Sequence, residues 1–290
     1  KSLIGHKITA VEVLVPKLFI GDPQAIIGQQ VLEVSRRAKI LIIKLSENFL
    51  LTHLKMTGQL IFVPKKQLAT GRLATSPSTE LGVNHQLGAD DGIVIGGHPD
   101  KAYGLDLPHK HSHVIIEFDN GTLYFNDLRK FGWMKVLHSL DELQNEVAHL
   151  GPEYTWPEFD LGYFQAGLTK RRITIKQALL DQTFIAGIGN IYADESLFSA
   201  KIDPRRKAND LTKAEVKKLF ACIPKVFNLS LQHGGTSLRD YRQADGSMGT
   251  YLQVANVYQR EGLPCRVCGN AIERIKTSGR SSHFCPNCQK

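Results

Sequence analysis

Cys265 and Cys268 are followed, after sixteen intervening residues, by Cys285 and Cys288. Two C-x2-C pairs at that spacing are the donor set of a tetrahedral zinc site: each pair wraps a knuckle that turns two sulfurs toward one metal, and the spacer can return as a hairpin. Gly269-Asn270 and Thr277-Ser278-Gly279 supply turn residues at either end of that spacer. Two disulfides in a secreted module are the other reading of four cysteines. Four thiolates leave a metal no open position, so such a zinc is structural. Between Cys265 and Lys290 stand five Lys/Arg and one acid, and a cationic zinc hairpin suggests a nucleic-acid contact. A second candidate for anion binding is Gly187-Ile188-Gly189-Asn190. Two glycines before a helix let backbone amides approach a phosphate and aim the helix dipole at it, although the same turn also serves as a plain helix connection.

The chain that must position these groups has 290 residues and a net charge of +8. That length allows two domains and a small appendage, and the charge favours a polyanionic partner. Cys222, the fifth cysteine, sits in an apolar helical run and reads as a core thiol. No stretch reaches eighteen consecutive apolar residues and no charged-then-apolar signal opens the chain, so a soluble, cytoplasmic protein is expected.

From Ile8 to Val136 short apolar or alternating runs recur: Ile8–Val15, Val31–Val34, Ile40–Leu45, Phe49–Leu54, Gln59–Val63, Val114–Phe118, Thr122–Asn126 and Gly132–Val136. This spacing predicts antiparallel strands packed as a sandwich or flattened barrel, with Asp119-Asn120-Gly121 as a hairpin turn. The stretch 69–108 breaks the rhythm, with seven Gly, three Pro and little periodicity; a mobile insertion without chemistry is expected. After Leu137 the period becomes helical. Ser139-x-x-Glu142 and Thr212-x-x-Glu215 are capping boxes, the second opening a helix to about Gln232 that Gly234-Gly235 stops. Apolar-periodic segments cover Ile173–Leu180 and Asn190–Ser199. The expected organisation is α+β: a β-sandwich over 1–137, a helical domain over 138–250 and a zinc hairpin over 251–290.

Joined to the zinc spacing, the G-x-G-N turn resembles the helix-two-turn-helix of the formamidopyrimidine-DNA glycosylase and endonuclease VIII family, and the resemblance covers nearly the whole chain. Arg280 through Cys285, with Gln289 closing the second knuckle, is similar to the family's zinc-finger signature. Asp181-Gln182 through Phe198 is similar to its central helical segment. Gly234-Gly235-Thr236 and Asp245-Gly246 through Tyr258 resemble its loop over the everted lesion. Arg36-Arg37-Ala38-Lys39, His53-Leu54-Lys55-Met56-Thr57-Gly58 and Asp127-Leu128-Arg129-Lys130-Phe131-Gly132 resemble its three N-domain motifs.

The resemblance implies a bifunctional DNA glycosylase and apurinic/apyrimidinic lyase for oxidised purines in duplex DNA, a monomer holding one structural zinc on Cys265, Cys268, Cys285 and Cys288. Met56, Arg129 and Phe131 match the trio that fills the hole left by an everted base. Met and Phe there favour the purine branch. Without the resemblance, Met56 and Phe131 would read as sandwich core. Lys39 matches the lysine that assists β-elimination, where the residues alone suggest a strand-end charge. Arg280 matches the residue tied to δ-elimination. His111, Arg129, Arg172 and Asn190 match backbone contacts, with His53 and Arg171 as additions. Phosphate contacts position a duplex without reading its sequence, and two arginines at a helix start would oppose the dipole and invite an anion.

One departure stands out. Family members use an N-terminal proline as nucleophile, followed by a glutamate, and Lys1-Ser2-Leu3-Ile4-Gly5 instead resembles the family sequence about twenty residues further in. Without that amine the expected Schiff base has no donor. A sequence that starts late is the expected explanation, and a non-excising lesion binder is the alternative. An endonuclease VIII-like enzyme for oxidised pyrimidines and an RNA-associated zinc ribbon are the other rivals.

Overall fold

The computed structural model describes residues 2–69, 93–97, 107–235, 249–277 and 279–290. Most of the 69–108 stretch, and the expected lesion loop at Thr236 and 245–248, lie outside the described residues. The chain forms two compact units, one within 1–147 and the other within 148–236 and 250–290.

In the first unit the alternating runs become strands: β1 (Ile8–Val13), β2 (Phe19–Ile20), β3 (Val31–Arg37), β4 (Ile40–Leu45), β5 (Phe49–His53), β6 (Gly58–Pro64), β7 (Val94–Gly97), β8 (Ser112–Phe118), β9 (Gly121–Asp127) and β10 (Trp133–Leu137). They make two five-stranded sheets in the orders β1-β8-β9-β6-β7 and β2-β10-β5-β4-β3, antiparallel except for the β2–β10 pair. Ile8, Val114, Ile116, Leu123 and Phe125 of one sheet and Val31, Ile43, Leu50, Met134 and Val136 of the other share one core, as a sandwich requires. The hairpin closes where expected, with Phe118 opposite Gly121. A Cβ on Gly121 would stand 2.4 Å from the Val63 carbonyl oxygen, so β6 and β9 approach too closely there for any side chain.

The Gly- and Pro-rich stretch corrects one expectation. It carries β7, paired with β6 from Gln59–Gly97 to Phe62–Val94, and Ile93 and Leu107 pack on a second cluster of Ile61, Val63, Ile115 and Tyr124. That outer cluster explains why β9 is buried on both faces. Two short helices complete the unit, α1 (Lys65–Ala69) and α2 (Leu140–Val147). The Ser139 hydroxyl accepts the Glu142 amide at 3.1 Å, while the Glu142 carboxylate reaches one residue further back than a capping box requires, to the His138 amide at 2.8 Å.

The second unit holds α3 (Leu161–Thr169), α4 (Ile175–Leu180), α5 (Asn190–Ala200), α6 (Lys213–Gln232), α7 (Tyr251–Val254) and the hairpin β11 (Glu273–Thr277)–β12 (Arg280–Phe284). Thr174 and Thr212 make full capping boxes with Gln177 and Glu215. The Thr174 cap moves the start of α4 past Arg171-Arg172, which therefore follow the end of α3 and do not open a helix. Phe164, Phe184, Ile188, Leu197, Leu219 and Ile223 form the helical core. A smaller cluster joins Phe198 of α5 to Val257, Cys265, Ile272 and Cys285, so the cysteine hairpin packs on α5 within the same unit. No helix among the described residues is long and apolar enough to cross a membrane.

Candidate nucleic-acid interface and metal centre

Met56, Arg129 and Phe131 come from two loops, one between β5 and β6 and one between β9 and β10. They meet at the surface. An Arg129 Nη1 contacts the Met56 sulfur at 3.3 Å, and the guanidinium lies 4.7 Å from the centre of the Phe131 ring. Met56 and Phe131 stay 58% and 53% exposed, which rules out the core reading. Large apolar side chains held outward around an arginine present stacking surface to a partner. Each loop contains a left-handed lysine, Lys55 at φ 51° and Lys130 at φ 55°, a conformation that non-glycine residues seldom adopt.

Beside this stack is a pocket of about 360 Å³ lined by Arg36, Ala38, Lys39, His53, Lys55 and Gly97 among others. Lys39 occupies the two-residue β3–β4 turn with Ala38, which is left-handed at φ 52° and whose carbonyl accepts from Arg36 Nη1 at 3.1 Å. Gly97 belongs to the stretch in which no chemistry was expected. His53 Nδ1 accepts the Lys55 amide at 2.9 Å, so the neutral ring carries its proton on Nε2. Burial first, then Lys55 and Lys39, hold its pKa at about 4, against 6.5 normally. Between those values the unfolded chain binds the extra proton, so stability must fall as pH drops from 6.5 toward 4. Thermal melts of the native chain and His53→Gln at pH 7 and pH 5 should show a smaller acid loss in the variant; equal losses would refute the assignment. His111 lies just before β8, where its carbonyl accepts the Asp127 amide at 3.0 Å and its amide donates to His109 Nδ1 at 3.2 Å.

In the second unit, Gln182 ties the glycine turn together, accepting the Gly187 amide and donating to the Ile188 carbonyl, both at 2.9 Å. Gly187 is left-handed at φ 94°, and Gly189 caps α5 with no side chain over its first amides. Asn190 Nδ2 donates to the Ser281 carbonyl at 3.0 Å. Arg171 is engaged internally: it donates to the Gly167 carbonyl at 2.9 Å, pairs with Asp181 at 3.3 Å and lies 4.1 Å from the Phe184 ring centre. Arg172 is exposed. Arg280 opens β12, opposite Thr277, and together with Lys176, Gln177 and Asp181 it lines a groove of about 240 Å³.

Three buried residues of this unit carry no local sequence signal. Lys176 pairs with Asp194 at 2.5 Å and donates to the Ser281 carbonyl at 2.7 Å; Asp194 accepts the His283 amide at 3.0 Å. The Glu195 carboxylate accepts the amides of Asn256, Val257 and Tyr258 at 2.9, 2.8 and 2.9 Å. These contacts fix β12 and the segment after α7 to the helices.

Sγ atoms of Cys265, Cys268, Cys285 and Cys288 all lie within 4.8 Å of one another, with Cys265–Cys288 at 3.9 Å and Cys268–Cys285 at 3.5 Å. Tetrahedral ligands about 2.3 Å from zinc stand about 3.8 Å apart, so the donor set fits the ion and none of the cysteines is disulfide-bonded. The Val267 amide points at Cys265 Sγ at 3.4 Å, and Gln289 accepts the Cys285 amide at 2.8 Å, closing the second knuckle.

Three family models match the chain in order: the formamidopyrimidine-DNA glycosylase N-terminal domain over 1–134, the formamidopyrimidine-DNA glycosylase H2TH domain over 150–242 and the zinc finger found in FPG and IleRS over 262–290. A formamidopyrimidine-DNA glycosylase of Pelotomaculum thermopropionicum is 38% identical, covering 100% of this chain and 94% of its own. One of Listeria innocua is 35% identical over 99% and 93%. Among solved structures, Lactococcus lactis Fpg bound to abasic-site DNA is 30% identical at a TM-score of 0.79, covering 99% and 94%, and Thermus thermophilus MutM is 32% identical at 0.78, covering 99% and 93%. By sequence over its whole length and by the fold of both units, the chain belongs to the formamidopyrimidine-DNA glycosylase family.

Proposed function

We propose that this chain, a base-excision-repair DNA glycosylase with apurinic/apyrimidinic lyase activity, acts on oxidised purines such as 8-oxoguanine and formamidopyrimidines in duplex DNA. The observation that carries this reading is the assembled, exposed stack of Met56, Arg129 and Phe131. Everting a base costs a few kcal/mol and leaves a hole; an apolar wedge replaces the lost stacking while the arginine addresses the orphaned partner base. Lactococcus lactis Fpg has been captured with abasic-site DNA and with Fapy-dG DNA, which supports the same substrates here.

In this reading the Lys39 ammonium assists β-elimination as a general acid near the sugar, and Arg280 acts on the phosphate released by δ-elimination. His53, with Nδ1 occupied, offers an Nε2 proton to a phosphate oxygen; His111, Arg129, Arg172 and Asn190 hold the backbone, and Arg171 supports the Arg172 segment. Amides at the start of α5 add an anion site. One structural zinc holds the hairpin that carries Arg280 and takes no part in the chemistry.

Equilibrium binding to matched duplexes carrying 8-oxoguanine, a formamidopyrimidine, thymine glycol or no lesion tests the proposal. The two purine lesions should bind tightest. Preference for thymine glycol would move the chain to the endonuclease VIII-like reading, and equal affinity for all four would leave a lesion-blind DNA binder.

A further inference from the structure

We infer that Thr57 and Asp127 form a positioning pair that locks Met56, Arg129 and Phe131 into a single preformed wedge; the inference rests on the void-filling role proposed above. Asp127, the last residue of β9, is completely buried, yet its carboxylate serves both loops. One oxygen accepts the amides of Phe131 at 2.8 Å and Gly132 at 2.6 Å. The other accepts the Arg129 amide at 3.2 Å and the Thr57 hydroxyl. Thr57 closes the circuit, because its oxygen also accepts the Arg129 amide at 3.1 Å. Thus the residue after Met56 is bonded to the backbone of Arg129, across seventy-two positions of sequence.

Three further features show that the arrangement is constrained from several sides. The left-handed lysines flank the displayed side chains, Lys55 before Met56 and Lys130 between Arg129 and Phe131; strained backbone of this kind persists only where surrounding bonds over-determine it. A Cβ on Gly132 would stand 2.8 Å from the Phe125 ring, 3.0 Å from the His53 carbonyl oxygen and 3.1 Å from the Asp127 carboxylate, so the loop closes onto Asp127 only through glycine. His113 Nε2 lies 2.7 Å from the Asp127 carbonyl oxygen, pinning the same residue's backbone. A wedge held in its working geometry before DNA arrives loses less freedom on insertion than three independent side chains. Cutting the Thr57 link should therefore weaken binding where a void must be filled and spare binding that rests on phosphates.

The test is fluorescence anisotropy of the full chain on two matched duplexes, one carrying a tetrahydrofuran abasic analogue and one undamaged. Thr57→Val is expected to lose about tenfold in affinity for the abasic duplex and less than about twofold for the undamaged one. Thr57→Ser, which keeps the hydroxyl, should restore abasic binding; a general loss of structure would lower both affinities. Unchanged abasic affinity in Thr57→Val, equal losses on both duplexes, or no rescue by serine would overturn the positioning role. Absence of abasic preference in the unsubstituted chain would overturn the void-filling reading and this inference with it.

Discussion

Cys285→Ala is expected to release zinc, unfold the hairpin from about residue 262 onward, and lower affinity for an abasic duplex on the order of a hundredfold. Cys285 is fully buried just after β12 and belongs both to the thiol cluster and to the apolar contact with Phe198. A segment of this size has few buried apolar side chains of its own, chiefly Ile272 and Phe284, and domains so small depend on a metal or disulfides for their fold. Structural zinc contributes about 10–16 kcal/mol of apparent binding free energy in isolated fingers, more than that core can replace. Loss of the metal frees β12, and with it Arg280 and the Ser281 carbonyl that Lys176 and Asn190 hold. A charged hydrogen bond is worth roughly 1.5–3 kcal/mol, so losing Arg280 and one neighbouring contact accounts for the factor. The helical core built on Phe164, Leu197 and Leu219 contains no cysteine ligand and should survive. A colorimetric chelator assay should find one zinc per native chain and none in the variant, with new proteolytic cuts confined to 262–290. Retained zinc, or abasic affinity within about twofold of native, would contradict the structural assignment.

Local chemistry made most of this architecture legible in advance. The eight expected strands form at or within a few residues of their expected bounds, because alternation sets which face is buried and Asp119-Asn120 fixes a register. The Thr212 box and the glycines after Gln232 delimit α6, and the cysteine spacing favours a metal site that the clustered, unbridged thiols bear out. What stayed hidden is what depends on pairing. The four-residue β7 has no pattern of its own; its order comes from β6, and the glycines that allow that approach read as loop. No box announces α3, whose start rests on the single Asp160 cap, so nothing in the sequence shows that Arg171-Arg172 follow one helix and do not open the next. Lys176 and the Ser281 carbonyl stand 105 positions apart, as Thr57 and Asp127 stand 70 apart, and no periodicity links such partners. Met56 and Phe131 alternate like core residues, so their exposed display around Arg129 has no signal in periodicity, and only the family resemblance points to a wedge role.

Asp194→Ala should lower the melting temperature of the helical unit by about 10 °C. Asp194 and Lys176 are 1% and 2% exposed, and burial holds the lysine pKa below its ordinary value, an effect that the adjacent carboxylate offsets only in part. Removing the acid strands a cation in the interior, which costs about 3–5 kcal/mol, and also leaves the His283 amide without its acceptor. At roughly 2–4 °C per kcal/mol for a unit of this size, the expected shift follows. The charge argument has a sharper consequence. Replacing a buried pair with apolar residues is often neutral, whereas breaking one is not, so Lys176→Met should partly repair Asp194→Ala. Asn190 still donates to the Ser281 carbonyl in that double variant, so that carbonyl keeps one of its two donors. Calorimetry on the two single variants and the double closes the cycle. If the double variant melts no higher than Asp194→Ala, the damage lies in the lost His283 contact and the stranded ammonium is not its cause.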